Sequence, residues 1–179
     1  LAVQFTRDDK ALAVVHQSIS KIDLRNGSTS HLYDGAFIFQ NNYILLNDEK
    51  TGLYADLFSS GLKLYDFVNK KDILQLSLPY KTEEMKRFEL TGDNKYIFLG
   101  GAKNTVSGFS LPSGKNLFNT VYDTSLEKGV NFIRYDSIRQ KLYVIGKNDR
   151  IVVIDPFNGN VTATLLADRP QTIEVSPLF

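Results

Sequence analysis

The chain of 179 residues contains no cysteine and no tryptophan, and it has only two histidines. Without cysteine it can form neither a disulfide nor a thiolate metal site. Two histidines leave few ways to pair a nucleophile with a base, so little in the sequence supports catalysis. Acidic pairs such as Asp8-Asp9 and Glu83-Glu84 lie in predicted turns, where Asp in particular hydrogen-bonds the backbone. We therefore predict no catalytic residues, no bound metal and no cofactor.

The chain also lacks an excess of positive or negative charge. Lys and Arg together number 21 and Asp and Glu number 20, which gives a formal net charge of +1. This balance provides no field that would attract nucleic acid or a membrane surface. No apolar run approaches the ~20 residues that a membrane-spanning helix requires. We expect neither nucleic acid nor a membrane as the main partner.

Aromatic residues, in contrast, are abundant. The chain has 12 Phe and 9 Tyr, and 42% of its residues are hydrophobic against 23% that are charged. This is the composition of a folded globular protein. Aromatic and β-branched residues favour strands over helices, so the composition favours an all-β fold.

Four dipeptides recur at nearly constant spacing. They are Ile22-Asp23, Tyr65-Asp66, Phe109-Ser110 and Ile154-Asp155, and the steps between their second members are 43, 44 and 45 residues. A repeat of about 40–45 residues is typical of propellers whose blades have four strands. The spacing therefore predicts an all-β chain built of four-stranded antiparallel blades.

A turn pattern follows each dipeptide. The turns are Asn26-Gly27, Asn69-Lys70, Ser113-Gly114 and Asn158-Gly159. Asn and Gly tolerate the positive φ that tight hairpin turns require. The alternative is an ordinary β-sandwich with coincidental hairpins, and four coincident spacings argue against it.

The repeat resembles the WD-repeat and related β-propeller families. The resemblance rests on the dipeptides, which match the end of the family's third strand, and on Phe5–Lys10 and Leu90–Lys95, which look like its first hairpin. It covers nearly the whole chain, although Ile, Tyr and Phe stand where the family prefers Trp. The resemblance implies a single propeller segment over 1–179 with four blades, at about 1–34, 35–80, 86–123 and 130–167.

A larger ring is expected around these blades. Propellers of the WD-repeat families most often have seven blades, and an open row of blades would expose a strand edge at each end. The chain begins within a strand pattern, and residues 172–179 resemble the first strand of a further blade. We expect part of a larger, seven-bladed propeller. A self-contained four-bladed ring and completion by a partner chain are the alternatives.

The second blade contains a longer stretch between the predicted start of its second strand and its dipeptide. Asn42 to Asp66 spans 24 residues, against 13 to 15 in the other blades. Insertions on repeat scaffolds map to loops on one face, often the binding face. The alternative is that 52–58 extends the strand hairpin and packs on its own sheet. The predicted partner-binding residues of this loop are Lys50, Leu53, Tyr54, Leu57 and Phe58.

The connection before the third blade lies, by analogy with the family, on the same rim as this loop. Lys81 and Arg87 are further candidate partner contacts there. Glu83 and Glu84 interrupt the cations, so this connection offers no continuous track for phosphates. The alternative is an ordinary solvated loop.

The resemblance implies a non-catalytic scaffold for protein–protein interactions. The chain would be an intracellular subunit or domain of a larger assembly, with other proteins as its partners. A second hypothesis is an extracytoplasmic propeller that binds or hydrolyses a small ligand at its central channel. A third is a peripheral RNA-contacting subunit of a ribonucleoprotein complex.

Overall fold

Four-stranded antiparallel sheets make up the architecture of the chain. The structure, a computed structural model, describes residues 2–5, 10–15, 18–34, 43–45, 50–55, 61–81, 84–111, 113–122, 129–146, 150–168, 170 and 172–174. Every strand within these ranges belongs to one of four sheets, and neighbouring strands of a sheet follow one another along the chain. No helix in the same ranges is long and apolar enough to cross a bilayer.

The first compact unit, Leu1–Leu78, contains sheets I and II. Sheet I consists of β1 (Ala2–Phe5), β2 (Lys10–Val15), β3 (Ser18–Asp23) and β4 (Thr29–Asp34). Sheet II consists of β5 (Tyr43–Leu45), β6 (Thr51–Ala55), β7 (Gly61–Asp66) and β8 (Lys71–Ser77).

The second compact unit, Pro79–Phe179, contains sheets III and IV. Sheet III consists of β9 (Arg87–Leu90), β10 (Tyr96–Gly100), β11 (Thr105–Ser110) and β12 (Asn116–Val121). Sheet IV consists of β13 (Phe132–Asp136), β14 (Lys141–Ile145), β15 (Arg150–Ile154) and β16 (Val161–Leu166). Each predicted blade range thus contains one sheet. Of the predicted further strand, 172–174 lie in no strand and 175–179 lie outside the described residues.

Each recurring dipeptide lies at the end of the third strand of its sheet. Its polar second member closes the turn that follows. Oδ1 of Asp66 accepts the backbone N–H groups of Val68 at 2.8 Å and Asn69 at 3.0 Å. Oδ1 of Asp155 likewise accepts the N–H of Phe157 at 2.9 Å. The hydrogen bonds from Asn69 are the main cause that lowers the pKa of Asp66, because they favour the carboxylate. The repeat in the sequence therefore has a local structural cause.

A residue with positive φ completes each of these turns, as the turn pattern predicts. The residues and φ values are Gly27 (71°), Lys70 (52°), Gly114 (69°) and Gly159 (77°). The N–H of Gly159 donates to the backbone oxygen of Asp155 at 2.9 Å, and Gly27 donates to Asp23 at 2.8 Å. This left-handed conformation costs glycine little and strains Lys70.

Every third strand also carries a β-bulge opposite its fourth strand. The register shifts lie at Ile19/Ser20, Leu64/Tyr65, Gly108/Phe109 and Val153/Ile154. In sheets II, III and IV the shift lies at the same distance from the polar residue of the dipeptide. Since a bulge increases local strand twist, these sheets repeat in geometry as well as in sequence.

The predicted insertion in the second repeat is wrong. The prediction started the second strand at Asn42, but Tyr43–Leu45 form β5, which is the first strand of sheet II and pairs with β6. The second strand begins at Thr51, and the interval from Thr51 to Asp66 matches the intervals in the other repeats. A short apolar run has no period that distinguishes a first strand from a second. The additional length therefore lies before the second strand of sheet II and not between its second and third strands.

Sheets III and IV pack against each other through an apolar core. Sheet III contributes Phe98, Val106 and Phe118, and all three are buried. The side chains that face them alternate along the strands of sheet IV, as the pleat requires. These are Leu142, Val144, Val152 and Ile154. Full burial of one such side chain contributes about 1.5–3 kcal/mol, so the second unit is held together mainly by this core.

Candidate functional site

A cleft of about 500 Å³ opens between sheets III and IV. It lies at the end of the two sheets where their first strands turn into their second strands. We call it the turn cleft. Its volume is within the range of small-ligand sites, about 300–1,000 Å³. Residues of two hairpins and one aromatic turn residue line it: Thr91, Gly92, Asp93, Lys95, Tyr96, Tyr135, Ser137, Gln140 and Phe157.

The hairpin turn of sheet III fixes the one acidic residue of this lining, Asp93. Oδ1 of Asp93 accepts the hydroxyl of Thr91 at 2.7 Å and the backbone N–H of Lys95 at 3.1 Å. The Thr91 hydroxyl oxygen in turn accepts the N–H of Tyr96 at 3.0 Å. Because the bond from Thr91 and then that from Lys95 favour the charged form, the pKa of Asp93 lies below its ordinary value. The cleft therefore contains one ionised carboxylate in a fixed position.

The second carboxylate oxygen of Asp93, Oδ2, makes a longer and more exposed contact. It lies 3.4 Å from Nζ of Lys95, and the two side chains are 51% and 69% exposed. An exposed pair of this kind contributes only about 0–1 kcal/mol, because water screens both charges. This oxygen can therefore exchange one ammonium group for another at little cost.

Aromatic rings form the walls of the cleft. The rings of Tyr96 and Phe157 meet edge to face, with centroids 5.5 Å apart and planes at 75°. Tyr135 packs on Phe98 at a centroid distance of 5.4 Å. Burial is the main cause that raises the pKa of Tyr135, and the negative charge of Asp93 adds to it. The phenol is therefore neutral at physiological pH, and its surroundings are electronegative.

Two other acids near the cleft are held by sheet IV. Oε1 of Glu89 accepts the backbone N–H of Tyr135 at 3.3 Å and lies 3.4 Å from Nη1 of Arg134. Burial raises the pKa of Glu89 against the opposing effect of these two partners. Oδ2 of Asp136 pairs with Nη1 of Arg139 at 2.8 Å. Both acids thus tie parts of the fold together, and Asp93 remains the carboxylate that faces the cleft.

The predicted loop residues of the first unit do not form one surface patch. Leu53 is 1% exposed and lies in the core, while Tyr54, the next residue of β6, points to the other face of sheet II. Tyr54 donates its hydroxyl to Oδ1 of Asp72 at 2.9 Å, and Nζ of Lys63 lies 5.9 Å from its ring centroid. Leu53 and Tyr54 therefore pack on their own sheet, as the alternative prediction for 52–58 has it, while 56–58 lie outside the described residues.

The other residues predicted in the same loop have different positions. Lys50 is exposed at the start of β6, and its backbone oxygen accepts the N–H of Phe67 at 2.9 Å. Leu57 and Phe58 lie outside the described residues. A partner contact at Lys50 stays a prediction.

Lys81 belongs to the connection that leads into sheet III, and Arg87 is the first residue of β9. The backbone N–H of Lys81 donates to Oε2 of Glu84 at 3.2 Å. Nε of Arg87 donates to the backbone oxygen of Asn131 at 2.8 Å, which ties sheet III to the segment before β13. Arg87 therefore has a structural role, and its side chain is already oriented by that bond.

Sequence reasoning missed the turn cleft. The sequence predicts Leu90–Lys95 as a hairpin of the repeat, but its pattern predicts no site at Thr91 or Asp93. A usable signal was Phe157, a large aromatic residue in a turn where polar residues are expected. Among the side chains that the structure describes, no three His, Cys, Asp or Glu residues group as metal ligands.

Comparison with known proteins does not identify a family for this chain. No protein-family model matches the chain, and no curated protein is significantly similar to it in sequence. The resemblance to the WD-repeat families therefore stays a prediction.

Proposed function

We propose that the four sheets are blades of a β-propeller and that the chain is a non-catalytic scaffold for other proteins in a larger assembly. The packing of sheet IV on sheet III supports this proposal most. Their first strands, β9 and β13, lie side by side. A propeller repeats this arrangement of adjacent four-stranded sheets around its axis.

Polar contacts join these two sheets from their first strands to their last. Near the first strands, Arg87 bonds the backbone of Asn131, and Glu89 bonds that of Tyr135. Near the last strands, Oγ1 of Thr120 donates to the backbone oxygen of Gly159 at 2.8 Å. The two sheets therefore pack over their full width, as neighbouring blades do.

Strand β16 provides a second line of support. Every residue of Val161–Leu166 is exposed. Ala163 and Leu165 pair with Val153 and Ile151, so they lie on the face of sheet IV opposite the one that packs on sheet III. Exposed apolar side chains on this face suit a surface that another element covers. In a propeller the following blade packs at this position.

Three acids at the ends of strands support a scaffold rather than a catalyst. Asp66, Asp136 and Asp155 each accept backbone N–H groups of the turn that follows them. These carboxylates thus serve the fold. Rigid sheets whose turns project at two ends suit a surface for partner proteins, with aromatic residues such as Phe157 as candidate anchors.

Site-specific photocrosslinking of the full chain in native extract tests the scaffold function. The chain lacks cysteine, so Lys95→Cys and Lys103→Cys each create a single site for a photoreactive maleimide. Both lysines are exposed, and they lie in turns at opposite ends of sheet III. We expect at least one position to capture the same protein in repeated experiments, in a complex that also elutes with the chain in gel filtration.

The control is the same labelled chain after thermal unfolding. Capture of no more protein than this control, at both positions, would contradict a scaffold function. Capture at one position alone would identify the binding end of the sheet.

A further inference from the structure

The turn cleft combines features that suit a particular class of ligand. Its walls are aromatic, its one carboxylate is ionised and pairs with the one cation of the lining, Lys95, and its hydroxyl groups belong to Thr, Tyr and Ser side chains. An aromatic face attracts a cation through its quadrupole, and a nearby carboxylate adds a direct charge. An anionic ligand would instead meet Asp93 and the electronegative surroundings of Tyr135. The aromatic walls and the ionised Asp93 therefore favour an organic cation that takes the place of Lys95.

The fold already shows which kind of cation meets Asp93. Nζ of Lys95, a primary ammonium group on an aliphatic chain, lies 3.4 Å from Oδ2 of Asp93. Lys95 is mostly exposed and contributes little in this position. An external ammonium group can take its place without disturbing Oδ1, which holds the turn through Thr91 and the backbone N–H of Lys95.

We propose that the turn cleft binds a primary ammonium group on an aliphatic chain, as a lysine side chain of a partner protein presents it. The ammonium group binds Oδ2 of Asp93 in place of Lys95. The aliphatic stem lies along Tyr96 and Phe157, whose perpendicular rings form a corner. The assignment to a partner protein rests on the proposed scaffold function, whereas binding of the ammonium group does not.

The test uses small probes and the full chain. Nα-acetyl-lysine N-methylamide is titrated in NMR experiments that follow the backbone N–H of Gly92 and the ring of Phe157. The control ligand is Nα-acetyl-norleucine N-methylamide, a neutral analogue with a four-carbon side chain and no ammonium group. We expect saturable shifts with the lysine probe, weakened by added salt, and none with norleucine. Equal binding of the two probes, or no saturable shift, would overturn the proposal.

Three variants locate the binding. Asp93→Asn keeps the oxygen that holds the turn and removes the charge, so we expect about tenfold weaker binding of the lysine probe. Phe157→Leu removes an aromatic wall and weakens binding about two- to fivefold. Lys95→Gln removes the competing ammonium group and strengthens binding about two- to threefold. An unchanged affinity in Lys95→Gln would contradict the exchange of ammonium groups.

The matched control is Asp72→Asn. Asp72 is also an exposed carboxylate paired with a lysine, at 3.3 Å from Nζ of Lys63, but it lies on sheet II. It should leave the affinity unchanged, and an equal loss in Asp72→Asn and Asp93→Asn would overturn the site. If methylammonium binds as tightly as the lysine probe, the aliphatic stem contributes nothing and the assignment to a lysine side chain is wrong. Since these probes are not proteins, the result is independent of the photocrosslinking experiment.

Discussion

Strands β12 and β16 occupy the same place in their repeats, as the fourth strands of sheets III and IV, but differ in burial. On β12, Phe118 is only 6% exposed, and Thr120 bonds the backbone of Gly159 in the next sheet. On β16 every residue is exposed. The difference arises because sheet IV covers sheet III, and no other sheet of the second unit covers the equivalent face of sheet IV. Burial in this fold therefore depends on the neighbouring sheet as well as on the position within the repeat.

Truncation of one large apolar side chain on each strand gives the largest contrast. Phe118→Ala should lower the free energy of unfolding by about 3–5 kcal/mol, because it leaves a cavity beside Phe98 and Gly108. Leu165→Ala on β16 should change it by less than about 0.5 kcal/mol. Urea unfolding of the two variants measures both values. Similar losses would show that β16 is as well packed as β12.

Glycine substitutions separate the contact between sheets from backbone strain. Gly159 and Gly27 have nearly the same φ, 77° and 71°. A Cβ at Gly159 would lie 2.7 Å from Cβ of Phe118 and also meet Thr120, whereas a Cβ at Gly27 would meet nothing within 4 Å. Gly159→Ala should therefore cost about 2–4 kcal/mol, from strain plus overpacking.

Gly27→Ala is the matched control and should cost about 1–2 kcal/mol, from strain alone. Thermal unfolding of the two variants compares them. Equal costs would mean that Phe118 and Thr120 of sheet III can move away from the added methyl group without loss of stability.

The first strands of sheets III and IV also differ in burial, and the pH dependence of stability reports this difference. Glu89 on β9 is covered by sheet IV and has a side chain 19% exposed, while the equivalent Arg134 on β13 is 50% exposed. Burial raises the pKa of Glu89, so the folded state favours its protonated form. Its contribution to stability is complete below the ordinary pKa of 4.5 and is lost as the pH rises through the raised value.

Glu89→Gln keeps an acceptor for the N–H of Tyr135 and removes this titration. Relative to the parent chain, the variant should therefore gain stability between pH 4 and pH 7, by less than about 1 kcal/mol. Urea midpoints across this range measure the gain. A loss of stability that grows with pH would show that the pair with Arg134 outweighs burial.

The sheets could be predicted from the sequence because their repeat is a local feature. Asp66 and Asp155 bond residues two and three positions further along the chain, so the pattern needs no distant partner. The first strand of sheet II could not be recognised in this way. It has only three residues, Tyr43–Leu45, and a run of that length fits a first or a second strand equally well.

The turn cleft could not be predicted, because packing of two sheets creates it. Tyr96 and Phe157 belong to different repeats, and their contact exists only when sheet IV lies on sheet III. Leu53 shows a different kind of error, in which a core residue is predicted to lie on the surface. It was assigned to a surface loop, but the correct register places it on β6 with its side chain in the core.

Cross-linking between first strands tests the propeller arrangement most directly. Positions 44, 89 and 134 are equivalent, since each pairs with the equivalent residue of its second strand: Leu53, Phe98 and Tyr143. Glu89→Cys with Arg134→Cys is the control pair, because these side chains meet between sheets III and IV. The test pair is Ile44→Cys with Glu89→Cys, treated with the same short bis-maleimide. The propeller predicts intramolecular cross-links in both pairs to a similar extent, and a cross-link in the control pair alone would contradict it.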